Sequence, residues 1–527
     1  MEEGIRRIDG STAAYSDFVE VMKENQPALF YNFAGLLPSF LPWSKDGEVD
    51  ANFLRREFGD MEVPVVECSS VDGYGEERRS TMTLREYLGV VQDGKQISSP
   101  DEAGHGGASG VGRGGGTDNT VLYLKDWHFQ RLRREGRGCA EGGGGGASGG
   151  TCVAMTEAAP SFFEDDWLNW WCDRQGQDDY RFVYIGPSGS FTGLHHDVLN
   201  SFSWSYNVCG NKQWTLFPTE ATPDLYDRHG RDLAKDVRSD CKDLENFPRL
   251  ADAPRLEVWQ GPGEAIFVPS GWHHQVVNMG DGRPGGGGLT ISVNTNWFNG
   301  FNLGRVFGFM RAELDAVRNA LDHLRDHMAS PTSTPSPEQG GGQGAGQRGG
   351  RERRAWEHQC EVVMRANSAL NVTDFARIVV ARARHLLGDP LVGVSASDGD
   401  DGGGGGGGGD GGGGGSGAAA WREERWTVYA LEQAMAVLRE LLVAPWADHI
   451  FLPGSCCGNC DDDDEGDDQG LDGRDSSDGY SCGPGGRGRV PRVVDGEDGK
   501  RGAGDSILRD TLEAVEAYLL DRRSPKV

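Results

Sequence analysis

FTGLHHDVLNSFSWSYNVCGNKQW, Phe191 to Trp214, puts a His-x-Asp pair, an aromatic alternation and a Gly-Asn-Lys turn into one short run. Phe202, Trp204, Tyr206 and Val208 alternate with Ser203, Ser205 and Asn207, the period of a strand with one apolar and one polar face. Gly210-Asn211 then reads as a turn, and Lys212 opens the next strand. On an extended chain His195 and Asp197 point to one side and His196 to the other. If no bulge intervenes, these odd-numbered ligands share a face with the serines, and that polar face lines a pocket.

Working outward, YRFVYIG, SFSWSYNV, QWTLFP, RLEVWQG, EAIFVPS, HQVVNM and LTISVNTNW are short strand-like runs, each ended by Gly, Pro or Asn. Many short strands separated by turn signals predict an all-β barrel or jelly roll. Residues 1–120 read as an N-terminal helix and strand region that packs on this barrel. It includes a helical pattern from Tyr15, a helix after a capping Thr83 and a glycine-rich insertion at 104–116. The barrel takes 121–310, with a second glycine-rich insertion at 142–150. Helical periodicity runs from Leu303 to Met328, and 311–328 is assigned to a helix outside the barrel. A disordered Pro/Ser/Gly/Gln linker is expected over 329–352. The C-terminal region 353–527 carries helices at Trp356–Leu370, Phe375–Leu387 (capped by Thr373), Ala418–Val443 and from Ser506. Low-complexity segments 395–417 and 453–504 interrupt it. The predicted class is a mainly β core with flanking N- and C-terminal helices, α+β overall. The C-terminal helices either pack on the barrel or form a partner surface, such as a homodimer contact.

The charge balance excludes some functions. Lysine plus arginine is 52 against 81 acidic residues, a net charge of −29, which argues against direct binding to nucleic acid. Part of that charge sits in CDDDDEGDDQGLDGRDSSDG (Cys460–Gly479), a run that cannot build a core. MEEGIRRIDG lacks the apolar run of a secretory signal, and no stretch is apolar enough to cross a bilayer, so no membrane partner and an intracellular location are expected. Eleven scattered cysteines predict reduced thiols rather than a disulfide framework. CCGNC at Cys456–Cys460, with Cys482 downstream, raises a zinc site, but without a fourth ligand at the usual spacing loop thiols are the plainer reading.

Two legs of a metal site at His195 and Asp197 call for a third, and GEAIFVPSGWHHQVV offers His273 and His274. Two histidines and one carboxylate leave three coordination positions free on one side, as non-haem Fe(II) oxygenases require. A 2-oxo acid takes two of them and dioxygen the third. Lys212 on the following strand suits the distal carboxylate of 2-oxoglutarate. A lone His-x-Asp is common and usually structural. Four such features in order within one β-rich segment are not.

With YLKDWHF, DDWLNWW, DDYRFVYIGPSGSF, LYDRHG, PGEAIFVPSGWHHQVVNM and ISVNTNWFNGFNL added, the chain resembles the JmjC-domain 2-oxoglutarate oxygenases over roughly Tyr15 to Met310. It is most similar to the jumonji domain-containing protein 4 group, the lysyl hydroxylases of the eukaryotic translation release factor. The resemblance implies a double-stranded β-helix of the cupin type and Fe(II) ligands at His195, Asp197 and His274, the last because the family places it five residues after the proline matching Pro269. It also implies 2-oxoglutarate contacts at Lys212 and Thr192, with Asn294 and Ser205 contacting the cosubstrate or shaping its pocket, and an aromatic substrate-channel position at Tyr184. His273 stands where relatives have an aromatic residue. The implied activity uses 2-oxoglutarate and O2 to hydroxylate a protein side chain, a lysine of the release factor, in the cytosol or also the nucleus. An N-methyl-lysine demethylase would share the site, but no zinc-finger reader pattern or basic patch accompanies it. A non-enzymatic cupin-like interaction protein would not need the ligands.

Overall fold

Alternating side chains build two facing sheets with different interiors. The computed structural model describes residues 4–71, 77–93, 121–135, 160–280, 288–325, 344–388, 424–444 and 503–523. The strands are β1 (Arg6–Asp9), β2 (Ala28–Tyr31), β3 (Ser44–Lys45), β4 (Glu48–Val49), β5 (Glu62–Val71), β6 (Glu77–Thr83), β7 (Leu122–Trp127) and β8 (Arg181–Pro187). They continue as β9 (Phe191–His195), β10 (Phe202–Cys209), β11 (Asn211–Phe217), β12 (Leu256–Gln260), β13 (Ala265–Val268), β14 (His273–Gly280) and β15 (Leu289–Trp297). The large sheet has the order β1-β2-β13-β10-β15-β8-β7-β5-β6, and the small one β12-β11-β14-β9. All seven strand-like runs of the barrel segment are present, and β5–β6 add a hairpin to the large sheet's edge.

Parity assigns each face. Phe202, Trp204 and Tyr206 of β10, Val183 and Ile185 of β8, Ile291 and Val293 of β15, and Phe267 of β13 share one core with Phe18, Trp43, Leu54, Tyr87 and Leu88 of the N-terminal helices. Ile266 and Val268, the alternate residues of β13, meet Leu29, Trp214, Leu216, Val258 and Val276 in a second core between the sheets. The segment between β11 and β12 covers the outside of the small sheet through Leu194, Phe217, Leu225, Val237 and Leu250. The Thr83 cap is in place: Thr83 Oγ1 accepts from the Glu86 N–H at 3.2 Å, and the Glu86 carboxylate accepts from the Thr83 N–H at 2.8 Å.

The C-terminal helices pack on the barrel's flank. Gly344–Ser368, Val372–Leu386, Glu424–Val443 and Ala503–Arg523 share a core with Leu303–Leu321, with Trp167 and Trp171 of the Trp167–Gln175 helix, and with Phe298 and Leu199. The buried Arg382 guanidinium pairs with Asp165 at 3.1 Å across this junction.

Several boundaries differ from expectation. The helix assigned to 311–328 begins at Leu303, inside the barrel range, because Asn299 and Asn302 turn the chain directly out of β15. Part of the expected linker, 344–352, is already helical, the first turns of the helix that runs on to Ser368 despite four glycines. Asn371, not Thr373, caps the next helix in a capping box with Asp374, and the Thr373 hydroxyl instead bonds Glu361. The last helix starts at Ala503 rather than Ser506. The insertions 104–116 and 142–150, the segment 395–417, the Asp-rich run and the Cys456–Cys482 region lie outside the described residues. The described cysteines Cys68, Cys172, Cys209, Cys241 and Cys360 are all free thiols. Among the described residues no helix is long and apolar enough to cross a membrane.

Candidate active site

Strand pairing brings the two histidines together. β14 runs antiparallel to β9 with His274 directly opposite His195, and their ring centroids are 4.3 Å apart. Asp197 follows β9 at the start of a short turn, so it is not on the strand, as parity alone had suggested. Ligand atoms of His195, Asp197 and His274 all lie within 4.8 Å of one another, the one group of three such residues among those described. His274, rather than its neighbour, completes the cluster because β14 turns even-numbered residues inward. His273 faces out toward the His196 ring, 5.1 Å away, and the Thr222 hydroxyl. Burial, with His196 and His274 nearby, lowers the His273 pKa to about 4.

A bulge in β9 corrects the expected parity. His274 pairs with His195 but Val276 pairs with Thr192, so β9 spends three residues where β14 spends two. Thr192 and His195 therefore line the same cavity despite their opposite parity.

Neighbouring groups orient each ligand. His195 Nδ1 is 2.8 Å from the Gly193 carbonyl, and His274 Nδ1 is 3.2 Å from the Trp272 carbonyl. A carbonyl only accepts, so both imidazoles carry their proton on Nδ1 and keep the Nε2 lone pair for a ligand. Burial, reinforced by His274, holds the His195 pKa far below the ordinary range and keeps the ring neutral. Asp197 accepts from Ser203 Oγ at 2.6 Å and from Asn296 Nδ2 at 2.8 Å, one bond to each oxygen. The Trp214 ring packs on His274, with centroids 5.6 Å apart, and its indole N–H is taken up by Gln260. Two imidazole nitrogens and a carboxylate beside a cavity fit a ferrous ion with open coordination positions.

A cavity runs from this cluster to Lys212. Lys212 is 2% exposed, and burial pulls its pKa down to about 7. Among the described residues no carboxylate forms an ion pair with it. Its ammonium lies 5.9 Å from the Tyr184 ring centroid. Tyr184 thus stands at the lysine end of the cavity, its hydroxyl donating to Asp126 at 2.8 Å, and Asp126 in turn meets Arg79 at 3.2 Å. Asn294 lines the cavity. Ser205, directly opposite it on β10, does not line the cavity but donates to Asn294 Oδ1 at 2.9 Å.

Sequence reasoning missed Tyr123, Trp214 and Asn296 among the lining residues. Asn296 had a signal, the i, i+2 repeat with Asn294 in ISVNTNW. Tyr123 had none, since only the pairing of β7 with β8 brings it to the cavity.

Two sheets enclosing a His-Asp-His cluster define a cupin-type oxygenase barrel, and residues 15–303 match the family of cupin-like domains. Human JMJD4, named a 2-oxoglutarate and iron-dependent oxygenase, is 35% identical over 393 residues, 73% of this chain and 77% of that protein. The Danio rerio protein of the same name is 33% identical over 367 residues, covering 69% and 71%. An Arabidopsis thaliana protein named arginine-specific demethylase JMJ20 is 31% identical over 338 residues, covering 61% and 63%. The chain belongs to the JMJD4 family of 2-oxoglutarate and iron-dependent oxygenases.

Proposed function

We propose that the chain is a protein hydroxylase that places a hydroxyl group on a lysine side chain of the eukaryotic translation release factor, acting in the cytosol. One observation carries the catalytic part: a buried lysine without an acidic partner among the described residues shares a single cavity with the His-Asp-His cluster. An uncompensated buried cation is costly, and a dianion that bridges lysine and metal removes the cost. Likeness to the JMJD4 group supports the choice of substrate.

Iron with 2-oxoglutarate supplies the oxidising chemistry, in which dioxygen is activated as the oxo acid loses carbon dioxide to become succinate. The protein's own residues bind and orient. His195, Asp197 and His274 would hold the ion, the two histidines through Nε2 and the aspartate through a carboxylate oxygen. Ser203 and Asn296 fix the rotation of Asp197. Lys212 takes the distal carboxylate, with Thr192 and Tyr123 beside it. Asn294, oriented by Ser205, lines the cavity. Tyr184 lines the lysine end of the cavity.

Incubating the full-length protein with Fe(II), 2-oxoglutarate and release factor should add one oxygen to one lysine, with matching succinate, read by tandem mass spectrometry. A second reading, demethylation of N-methylated arginine or lysine, is favoured by the name of the Arabidopsis relative. Formaldehyde from methylated peptides, with release factor left unmodified, would replace the first reading by the second.

A further inference from the structure

Asn25 ends the Tyr15–Glu24 helix in a left-handed conformation, φ 53° and ψ 46°, and is 5% exposed. Its side chain meets the turn that leads into β14. Asn25 Nδ2 donates to the Ser270 carbonyl at 2.9 Å, and Asn25 Oδ1 accepts from the Ser270 N–H at 3.0 Å. The Trp272 indole donates to the Asn25 carbonyl at 3.0 Å, and the Trp272 carbonyl is the group that receives His274 Nδ1. From the other side Asn302, which precedes the Leu303–Leu321 helix, donates to Ser270 Oγ at 3.0 Å. Gly271, at φ +78°, faces Asn200 in the turn after Asp197, and a Cβ there would come within 3.1 Å of the Asn200 amide oxygen.

The choice of residue follows. The Ser270 N–H and C=O are buried and need partners. A primary amide presents a donor and an acceptor side by side, as a peptide group does. Of the residues that adopt a left-handed cap readily, Asn, Asp and Gly, asparagine alone offers both.

We infer that Asn25 is a positioning residue for His274: by clamping the Ser270–Trp272 turn it fixes the carbonyl that sets the tautomer and rotation of that imidazole. The inference rests on the reading of the triad as the metal site. It predicts that loosening the clamp weakens metal binding beyond what lost stability would do.

The test titrates the metal-free full-length protein with Co(II), following its visible absorption, for wild type, His274→Ala, Asn25→Gly and Asn371→Ala. Asn25→Gly keeps the left-handed backbone and the carbonyl that Trp272 uses, and deletes only the two side-chain bonds. Asn371→Ala removes a remote helix cap and controls for stability. The expected result is roughly tenfold weaker Co(II) binding for Asn25→Gly, the lower end of what outer-sphere partners contribute, with Asn371→Ala at wild-type affinity. Wild-type affinity in Asn25→Gly, or the same loss in Asn371→Ala, overturns the inference. Equal binding by wild type and His274→Ala would instead sink the metal-site reading itself. Should Asn25→Gly fold poorly, Asn25→Asp, which keeps the acceptor and loses the donor, is read in the same way.

Discussion

Both oxygens of Asp197 are hydrogen-bonded, so the carboxylate cannot rotate away from the two imidazoles without breaking a bond to Ser203 or Asn296. Asn296→Ala should lower metal affinity by about 10- to 100-fold with little change in secondary structure. Asp197→Ala should abolish binding, and titration with Co(II) or Mn(II) compares the two. Lys212 gives a pH signature. With its pKa pulled from 10.5 to about 7 by burial, the folded chain binds fewer protons than the unfolded chain between those values. Stability of the ligand-free protein should therefore rise with pH from about 7 to 10.5, by an amount on the order of a few kcal/mol, and be lowest below 7, where the buried ammonium is charged. Affinity for 2-oxoglutarate should move the opposite way, falling above pH 7 as the cation is lost. Lys212→Met should flatten the stability profile and abolish succinate formation. Denaturation series and isothermal titration across pH test both signs.

The β9 bulge is held from outside. A Cβ on Gly193 would lie 2.8 Å from the Lys235 carbonyl, the same carbonyl that accepts the Leu194 N–H at 3.0 Å. Gly193→Ala should push the 218–255 segment away from the bulge and cost about 1–3 kcal/mol as an overpacked contact. Because Thr192 and His195 flank the bulge, metal and cosubstrate affinity should fall together, and amide exchange at Leu194 should quicken. The turn after Asp197 is constrained as well: Leu199 and Asn200 both have positive φ, 57° and 55°, and the Leu199 side chain is sunk in the helical core. A non-glycine left-handed pair beside a ligand is strained backbone that the surrounding packing maintains.

The helical flank shares a core with Trp167, Trp171, Leu199 and Phe298, which lie between or beside the barrel strands, so the C-terminal third is not an appendage. Arg382 reaches Asp165 at the barrel side, where burial raises the Asp165 pKa. Arg382→Ala leaves that carboxylate buried without its cation and should cost about 3–5 kcal/mol in chemical denaturation. The double variant Asp165→Asn with Arg382→Met should recover most of the loss, since no charge is then stranded. Ending the chain at 325 would uncover Trp167, Phe298 and Phe307 together. The truncated protein should aggregate, as its soluble yield would show.

The seven strand runs of the barrel, the His-x-Asp pair, Lys212 and the jelly-roll class were legible in the sequence because each is local: period-two alternation and turn residues act over a few positions. Asn294 and Asn296 were half legible for the same reason. The choice of His274 over His273 came from resemblance, and the physical cause is the register of β14 against β9. Position along the chain did not place Tyr123 in the cavity, put Thr192 and His195 on one face, seat the C-terminal helices on the flank or bring Asn25 to the Ser270 turn. Those depend on cross-strand pairing, a bulge and buried hydrogen bonds between segments far apart in sequence, from 61 residues for Leu124 and Ile185 to 245 for Asn25 and Ser270, which exist only once the chain has closed on itself.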